Sequence, residues 1–144
     1  MILVDTGPLV GLADPHDRLH TTAARQLDRL VHETLVVCEA VLTEACFHLP
    51  HQQQRRRMAE ILRAFSMVPY DGAPDPGLRP AVWAWLLRYA EHEPDWADGY
   101  LAVVSGLQRR WRVWTFDREF RTTWRRPDGS PIPLVEVGVR ATRR

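Results

Sequence analysis

Short apolar runs alternate with segments of helical periodicity along most of the chain, and this alternation constrains the fold more than any other feature. Between the runs, apolar residues recur every three or four positions, as they do on one face of a helix. Such alternation favours an α/β fold with a mainly parallel central sheet of four to five strands flanked by helices. The predicted strands are 2–4, 35–37, 67–70 and 113–116, with an edge strand over 134–137.

Five proline or glycine residues within 71–80 predict a loop before the next helix. The predicted helices cover 9–13, 19–32, 41–49, 51–65, 81–91, 95–110 and 118–121. No internal repeat or low-complexity segment divides the chain, and its 144 residues suit one hydrophobic core. We therefore expect a single domain over residues 1–144.

The composition is that of an ordinary globular protein, with 45% hydrophobic and 26% charged residues. No apolar run approaches the roughly 20 residues that cross a bilayer, so we expect no membrane association. Met1 leads straight into apolar residues without the basic region of a signal peptide, which predicts a cytoplasmic location. Cys38 and Cys46 are too few and too far apart to form a disulfide framework or a zinc knuckle.

Charge is distributed unevenly along the chain. Residues 1–100 carry nine arginines against fourteen acids, which gives −5, and residues 101–144 carry ten arginines against four acids, which gives +6. A basic segment of this kind suits contacts with nucleic-acid phosphates, since a guanidinium binds two phosphate oxygens at once. All nineteen basic residues are arginine, however, so a compositional bias explains part of this arginine content.

Two acidic residues follow directly on predicted strands. Asp5 follows the strand over 2–4, and Asp117 follows the strand over 113–116. The carboxyl ends of parallel strands meet at one edge of the sheet, where open α/β sheets bind their ligands. A carboxylate at the end of a buried strand is unfavourable unless it is paired or bound to a cation. We therefore expect both side chains to reach one site.

Two further acids lie on or near the apolar faces of predicted helices. Glu44 stands among largely apolar neighbours, and Asp98 borders the apolar stripe of its helix. Four carboxylates that converge on one edge repel each other without a cation, and their hard oxygen atoms select Mg²⁺ or Mn²⁺. The sequence thus predicts a divalent-metal site built from Asp5, Glu44, Asp98 and Asp117.

Taken one at a time, these acids also have structural interpretations that stay open. Asp5 and Asp117 each precede a helix and can cap its N-terminus. Asp98, like Asp95, can stabilise the first turn of a helix through the helix dipole. Glu44 is the hardest to explain in this way, because its neighbours are largely apolar.

Four segments, in their order along the chain, resemble the motifs of PIN-domain nucleases, and among these the VapC-type toxins of toxin–antitoxin pairs. The segments are 4–10, 41–46, 95–102 and 115–120. The resemblance spans almost the whole chain. It departs from the family at Gly99, where alanine is usual, and at Gly7, which replaces a more common serine or asparagine.

The resemblance implies a PIN-like three-layer fold and a metal-dependent endoribonuclease that hydrolyses RNA phosphodiesters with Mg²⁺ or Mn²⁺. It implies that the four acids named above are both catalytic and metal-binding. Thr6 and Thr115 would orient the metal-binding carboxylates or a water molecule without binding the metal themselves. Asp95, one helical turn before Asp98, would have a similar supporting role. Arg118 and Arg121 are candidates for phosphate contacts, against the alternative of solvated surface side chains. A homodimer and a small antitoxin, whose tail covers the active site, are the implied partners.

Three other functions compete with this one. Val-Asp-Thr-Gly at 4–7 also resembles the catalytic triplet of aspartic proteases, which need two such aspartates in a β-rich fold. A haloacid-dehalogenase-type phosphatase begins with an aspartate after a strand but needs a second one two residues later, where this chain has Gly7. The third competitor is a PIN-fold module that binds RNA or a partner without cutting. Such a module would typically have lost one or more acids, and here all four remain.

Overall fold

Four short strands form a single sheet in a computed structural model of the protein, which describes residues 1–70 and 75–136. The strands are β1 (Ile2–Val4), β2 (Leu35–Cys38), β3 (Val68–Tyr70) and β4 (Arg112–Trp114). The helices are α1 (Thr6–Ala13), α2 (His20–Arg29), α3 (Glu39–His48), α4 (Gln52–Ala64), α5 (Leu78–Arg88), a 3₁₀ helix (Ala90–His92), α6 (Trp96–Leu107) and α7 (Glu119–Thr122). Every strand pair in this sheet is parallel, which confirms the predicted α/β class.

The order of the strands is β3-β2-β1-β4, so the direction in which the sheet grows reverses beside β1. From β1 the chain steps outward to β2 and β3, and it then returns to place β4 on the other side of β1. Ile2 is accordingly in register with Leu35 on one side and with Arg112 on the other. A reversal of this kind opens a crevice at the carboxyl ends of the two strands that flank it. In this chain those ends lead into Asp5 and Thr115.

The core surrounds the central strand. All three residues of β1 are buried, as expected for a parallel strand that is covered on both faces. Among the helices, α1 packs against α2, α3 and α4, while α6 packs against α5 and also contacts α3. Trp114, Phe120 and Trp124 are the largest fully buried side chains, and all three come from β4 or the segment after it.

Helices α5 and α6 approach each other closely at Gly99. A Cβ atom at this position would lie 3.1 Å from both Leu86 Cδ2 and Trp85 Cε3, and 3.2 Å from Val82 Cγ1. These distances are shorter than ordinary van der Waals contacts, so an alanine would force the two helices or their side chains apart. This packing explains why residue 99 is glycine, where the family resemblance described above led us to expect alanine.

Several boundaries differ from those predicted from the sequence. Helix α1 begins at Thr6 instead of residue 9, because Asp5 caps it and Pro8 is accommodated in its first turn. Strand β4 ends at Trp114, two residues early, so Asp117 does not follow the strand directly. Helix α5 begins at Leu78, inside the predicted loop, of which residues 71–74 lie outside the described part.

The predicted edge strand over 134–137 is reduced to one isolated parallel bridge between Val113 and Leu134, with residue 137 outside the described part. Val113 donates to Pro133 O at 2.8 Å and accepts from the amide of Val135 at 2.9 Å, so this segment still covers the open edge of β4. Within the described ranges, none of the helices has the length and apolar character needed to cross a bilayer.

Candidate active site

A cleft of about 490 Å³ lies at the crevice between the carboxyl ends of β1 and β4. Seven carboxylates, one arginine and one histidine contribute to its lining. The carboxylates are Asp5, Asp14, Asp17, Glu44, Asp95, Asp98 and Asp117, and the basic residues are Arg18 and His48. The structure therefore brings to one cleft all four acids that the sequence placed at a metal site.

Asp5 both caps a helix and lines the cleft. Its Oδ1 accepts a hydrogen bond from the amide of Thr6 at 2.7 Å, and its Oδ2 accepts one from the Thr115 hydroxyl at 2.6 Å. The side chain is only 6% exposed, and this burial raises the pKa of Asp5 to about 6 despite the two hydrogen bonds, which lower it. The negative charges of Asp95 and Asp117 raise the pKa further.

Thr115 connects Asp5 to Asp117. Its hydroxyl donates to Asp5 and accepts from the backbone amide of Asp117 at 2.9 Å. Asp117 is exposed, and its Oδ1 accepts from the amide of Glu119 at 2.9 Å, at the start of α7. The Thr115 hydroxyl therefore fixes the buried carboxylate of Asp5 relative to the backbone of the exposed Asp117.

Glu44 reaches the cleft from α3. Its Oε2 accepts a hydrogen bond from the Thr6 hydroxyl at 2.5 Å, and its Oε1 lies 3.7 Å from His48 Nε2, one turn along the same helix. Burial raises the pKa of Glu44 to about 7, and the Thr6 hydroxyl opposes this rise. A hydrogen bond with Asp95 and the negative charges of Asp95 and Asp5 add to it.

Asp95 and Asp98 cap the N-terminus of α6 reciprocally. The amide of Asp98 donates to Asp95 Oδ1 at 2.8 Å, and the amide of Asp95 donates to Asp98 Oδ2 at 3.1 Å. Burial is the largest cause that raises the pKa of Asp98, which reaches about 8, and the charges of Asp95, Asp5 and Asp117 contribute as well. Asp95 thus interacts with both Glu44 and Asp98, which are two of the four acids predicted as metal ligands.

The donors in the cleft suit a hard divalent cation in chemical type. They are carboxylate and hydroxyl oxygens, and three of the carboxyl groups have raised pKa values because burial and mutual repulsion disfavour their charge. A divalent cation relieves both effects. In the part of the chain that the structure describes, no three histidine, cysteine, aspartate or glutamate side chains stand as a preformed metal cluster.

Some lining residues escaped the sequence analysis, and two predicted ones lie elsewhere. Arg18 and His48 line the cleft, although neither belongs to a segment that suggested a site. The only signal for Arg18 was the helix break at 14–17 directly before it. Arg118 and Arg121, predicted as phosphate contacts, are exposed and do not contribute to the lining of this cleft.

Comparison with known proteins places the chain in a family. A family model described as the PIN domain matches residues 2–124. The chain belongs to the PIN-domain family. This confirms the resemblance drawn from the four sequence segments and the PIN-like fold that it implied. Comparison with curated protein sequences gives no match.

Two solved structures share the PIN fold with this chain. Mycobacterium tuberculosis VapC20, a sarcin–ricin loop cleaving toxin, is 23% identical with a TM-score of 0.68, over 85% of this chain and 94% of its own. FitAcB from Neisseria gonorrhoeae is 20% identical with a TM-score of 0.56, over 93% of this chain and 96% of its own. At these identities the likeness concerns the fold alone.

Proposed function

We propose that this PIN domain is an endoribonuclease of the VapC type, the toxin of a toxin–antitoxin pair, which hydrolyses RNA phosphodiesters with Mg²⁺ or Mn²⁺. The observation that carries the proposal is the meeting of four acids from separate parts of the chain at the crevice where the strand order reverses. VapC20, which shares the fold over most of this chain, supports RNA as the substrate class.

In this proposal Asp5, Glu44, Asp98 and Asp117 hold the cation. Once bound, it supplies a Lewis acid that acidifies a water molecule and neutralises charge on the phosphate. The protein's own contribution is orientation, since the Thr115 hydroxyl fixes Asp5 and the Thr6 hydroxyl fixes Glu44. The raised pKa values imply that the carboxyl groups lose protons when the cation binds, which makes its affinity dependent on pH.

The test is cleavage of a labelled single-stranded RNA by wild-type protein and by Asp5→Asn and Asp98→Asn variants, with Mg²⁺, Mn²⁺ or EDTA. We expect each variant to lose roughly 100-fold or more of the activity, because each substitution removes an anionic ligand. Asp28→Asn is the matched control, because Asp28 is exposed on α2 and does not line the cleft. Undiminished cleavage by both site variants, or by wild type in EDTA, would contradict the assignment.

The same experiment distinguishes a non-cleaving module from a nuclease. A module that only binds RNA or a partner would hold RNA without shortening it, whatever metal is present. The retention of all four acids favours the nuclease, because a module that only binds has no use for a group of carboxylates of which three are partly buried and have raised pKa values.

We further propose that the protein forms a homodimer, binds a small antitoxin whose tail covers the carboxylate cleft, and acts in the cytoplasm, where its RNA substrate is found. Large apolar side chains support partner contacts, since Phe47, Trp83 and Leu87 are 81%, 56% and 74% exposed. Light scattering of the full chain should give the mass of a dimer, and Leu87→Glu should shift it towards the monomer. A monomeric wild type would contradict the dimer.

A further inference from the structure

The cleft has little positive charge with which to hold a polyanion. The described residues that line it include seven carboxylates but only one arginine and one histidine. His48 faces Glu44, with 3.7 Å between Nε2 and Oε1, so it is oriented towards a carboxylate of the cleft. Among residues 1–70 and 75–136, Arg18 is therefore the one lining side chain with a permanent positive charge.

The charge of Arg18 is not neutralised by the acids beside it. Within residues 1–70 and 75–136, its guanidinium takes part in no ion pair or hydrogen bond, although Asp14 and Asp17 are close in sequence. Those two carboxylates accept from backbone amides instead: Asp14 Oδ1 from His16 at 2.9 Å, and Asp17 Oδ1 from Leu19 at 2.7 Å. The arginine thus stays available for an anion from outside the protein.

The backbone that carries the arginine is held firmly. The amide of Asp14 donates to Val10 O at 2.9 Å, and the amide of His20 donates to Asp17 O at 3.0 Å, so hydrogen bonds link the loop to the helices on both sides. The His20 ring also contacts Gly11 O through Nδ1 at 2.7 Å. Because the loop backbone is already ordered, binding of an anion would require ordering of the arginine side chain alone.

We propose that Arg18 binds a phosphate of the RNA chain at the edge of the carboxylate cleft and positions the strand over the acids. The inference rests on the proposed nuclease function and extends it to a substrate-positioning residue. It adds a residue within the cleft lining to the predicted phosphate contacts Arg118 and Arg121, which lie outside that lining and stay predictions. A guanidinium suits this role because it donates two parallel hydrogen bonds to one phosphate.

The test compares Arg18→Gln and Arg18→Lys with Arg25→Gln, a matched control on the exposed surface of α2. Cleavage of a labelled single-stranded RNA is measured under steady-state conditions. Arg18→Gln should raise KM by roughly tenfold with kcat within about twofold of wild type, as expected when one charge-assisted contact is lost. Arg18→Lys should recover part of the KM, and the control should match wild type.

RNA binding gives a second readout that a merely structural role would not change. In an Asp98→Asn background, Arg18→Gln should lower the slope of log affinity against log salt by about 0.7, the value for one phosphate contact with a single strand. A KM and salt slope equal to those of Arg25→Gln would overturn the proposal. A loss confined to kcat would overturn it as well. If wild type cleaves no RNA, the nuclease function fails, and the salt slope still decides the role of Arg18.

Discussion

At the scale of single residues, the acids of the cleft are oriented by backbone amides. One oxygen of Asp5, Asp95 and Asp117 accepts a hydrogen bond from an N–H at the start of a helix, which leaves the other oxygen to face a different partner. A cap of this kind fixes the carboxylate without another side chain. The capping and ligand interpretations, which competed in the sequence, are therefore compatible in the structure.

Thr115→Val tests this orientation. The substitution keeps the shape of the side chain but removes the hydroxyl that donates to Asp5 and accepts from the amide of Asp117. We expect RNA cleavage to fall by roughly 10- to 100-fold, the usual effect of losing a group that orients a metal ligand. Thr122→Val is the control, because that hydroxyl bonds only at α7. Equal activities of the two variants would show that the Thr115 contact is dispensable.

The raised pKa values predict how stability depends on pH without metal. A carboxyl group whose pKa rises on folding holds its proton more tightly in the folded state. Its contribution is complete below the unfolded-state pKa and is lost as pH rises through the folded value, which is about 6 for Asp5, 7 for Glu44 and 8 for Asp98. The Tm in EDTA should therefore fall between about pH 5 and pH 8.

Two comparisons make this pH prediction specific. Asp98→Asn should flatten the fall in Tm above about pH 7, because it removes the group that titrates highest. Mn²⁺ should raise the Tm more at pH 8 than at pH 5, because it competes with protons for the carboxylates. A Tm that stays constant over this range in EDTA would show that folding does not raise the pKa values of these carboxyl groups.

From the sequence it was easier to predict the acids of the cleft than the other residues that line it. Asp5 was found because it follows an apolar run, and Glu44 because it interrupts an apolar stripe. Arg18 and His48 could not be found in this way, since their places at the cleft depend on how α1, α2 and α3 pack. No local pattern records a contact of that kind.

At the scale of elements, the close contact between α5 and α6 sets the position of two acids. Asp95 caps helix α6, Asp98 lies in its first turn, and Gly99 lies directly against side chains of α5. Any change in the separation of these helices therefore moves the first turn of α6. The rigidity of the site depends in this way on packing beyond the cleft.

Gly99→Ala and Gly106→Ala form a matched pair within α6. At Gly99 the added methyl would meet side-chain carbons at 3.1 Å, whereas at Gly106 its nearest neighbour would be Pro127 Cδ at 3.5 Å. We expect Gly99→Ala to destabilise the protein by about 1–3 kcal/mol through overpacking. Gly106→Ala should stabilise it by up to about 1 kcal/mol through helix propensity. Urea unfolding measures both, and a more stable Gly99→Ala would refute the packing argument.

The end of β4 shows why element boundaries were harder to predict than elements. Thr115 and Phe116 are residue types that favour strands, so the sequence extended β4 over them. In the structure the Thr115 hydroxyl accepts from the amide of Asp117, a local bond that competes with the strand ladder. The strand ends earlier for this reason, and the threonine turns towards Asp5.

At the scale of the whole molecule, β1 is the strand on which the fold depends. It pairs with β2 and β4, while β3 has a neighbour on one side only among the described strands and exposes 44% of Val68. The alternation of elements predicted a parallel sheet, but it could not give the strand order. That order depends on which helices bury which faces, and the pattern of apolar residues is the same for several topologies.

Native-state hydrogen exchange should reflect this arrangement. Amides of β1 and β2 should exchange only through global unfolding and be the slowest in the protein, because they lie in the centre of the sheet. Amides of β3 should exchange faster by local opening. Protection of β3 equal to that of β1 would mean that another surface covers this edge in solution.

The hydrogen bond between Thr115 and Asp5 joins residues 110 positions apart. During translation Asp5 gains this partner only after β4 has followed it out of the ribosome and paired with β1. Asp5 and Asp117 therefore cannot meet on a nascent chain that has not yet been extended to β4 and Asp117, whatever the time it spends on the ribosome. The β1–β4 pairing therefore makes assembly of the cleft depend on synthesis of the chain at least as far as β4.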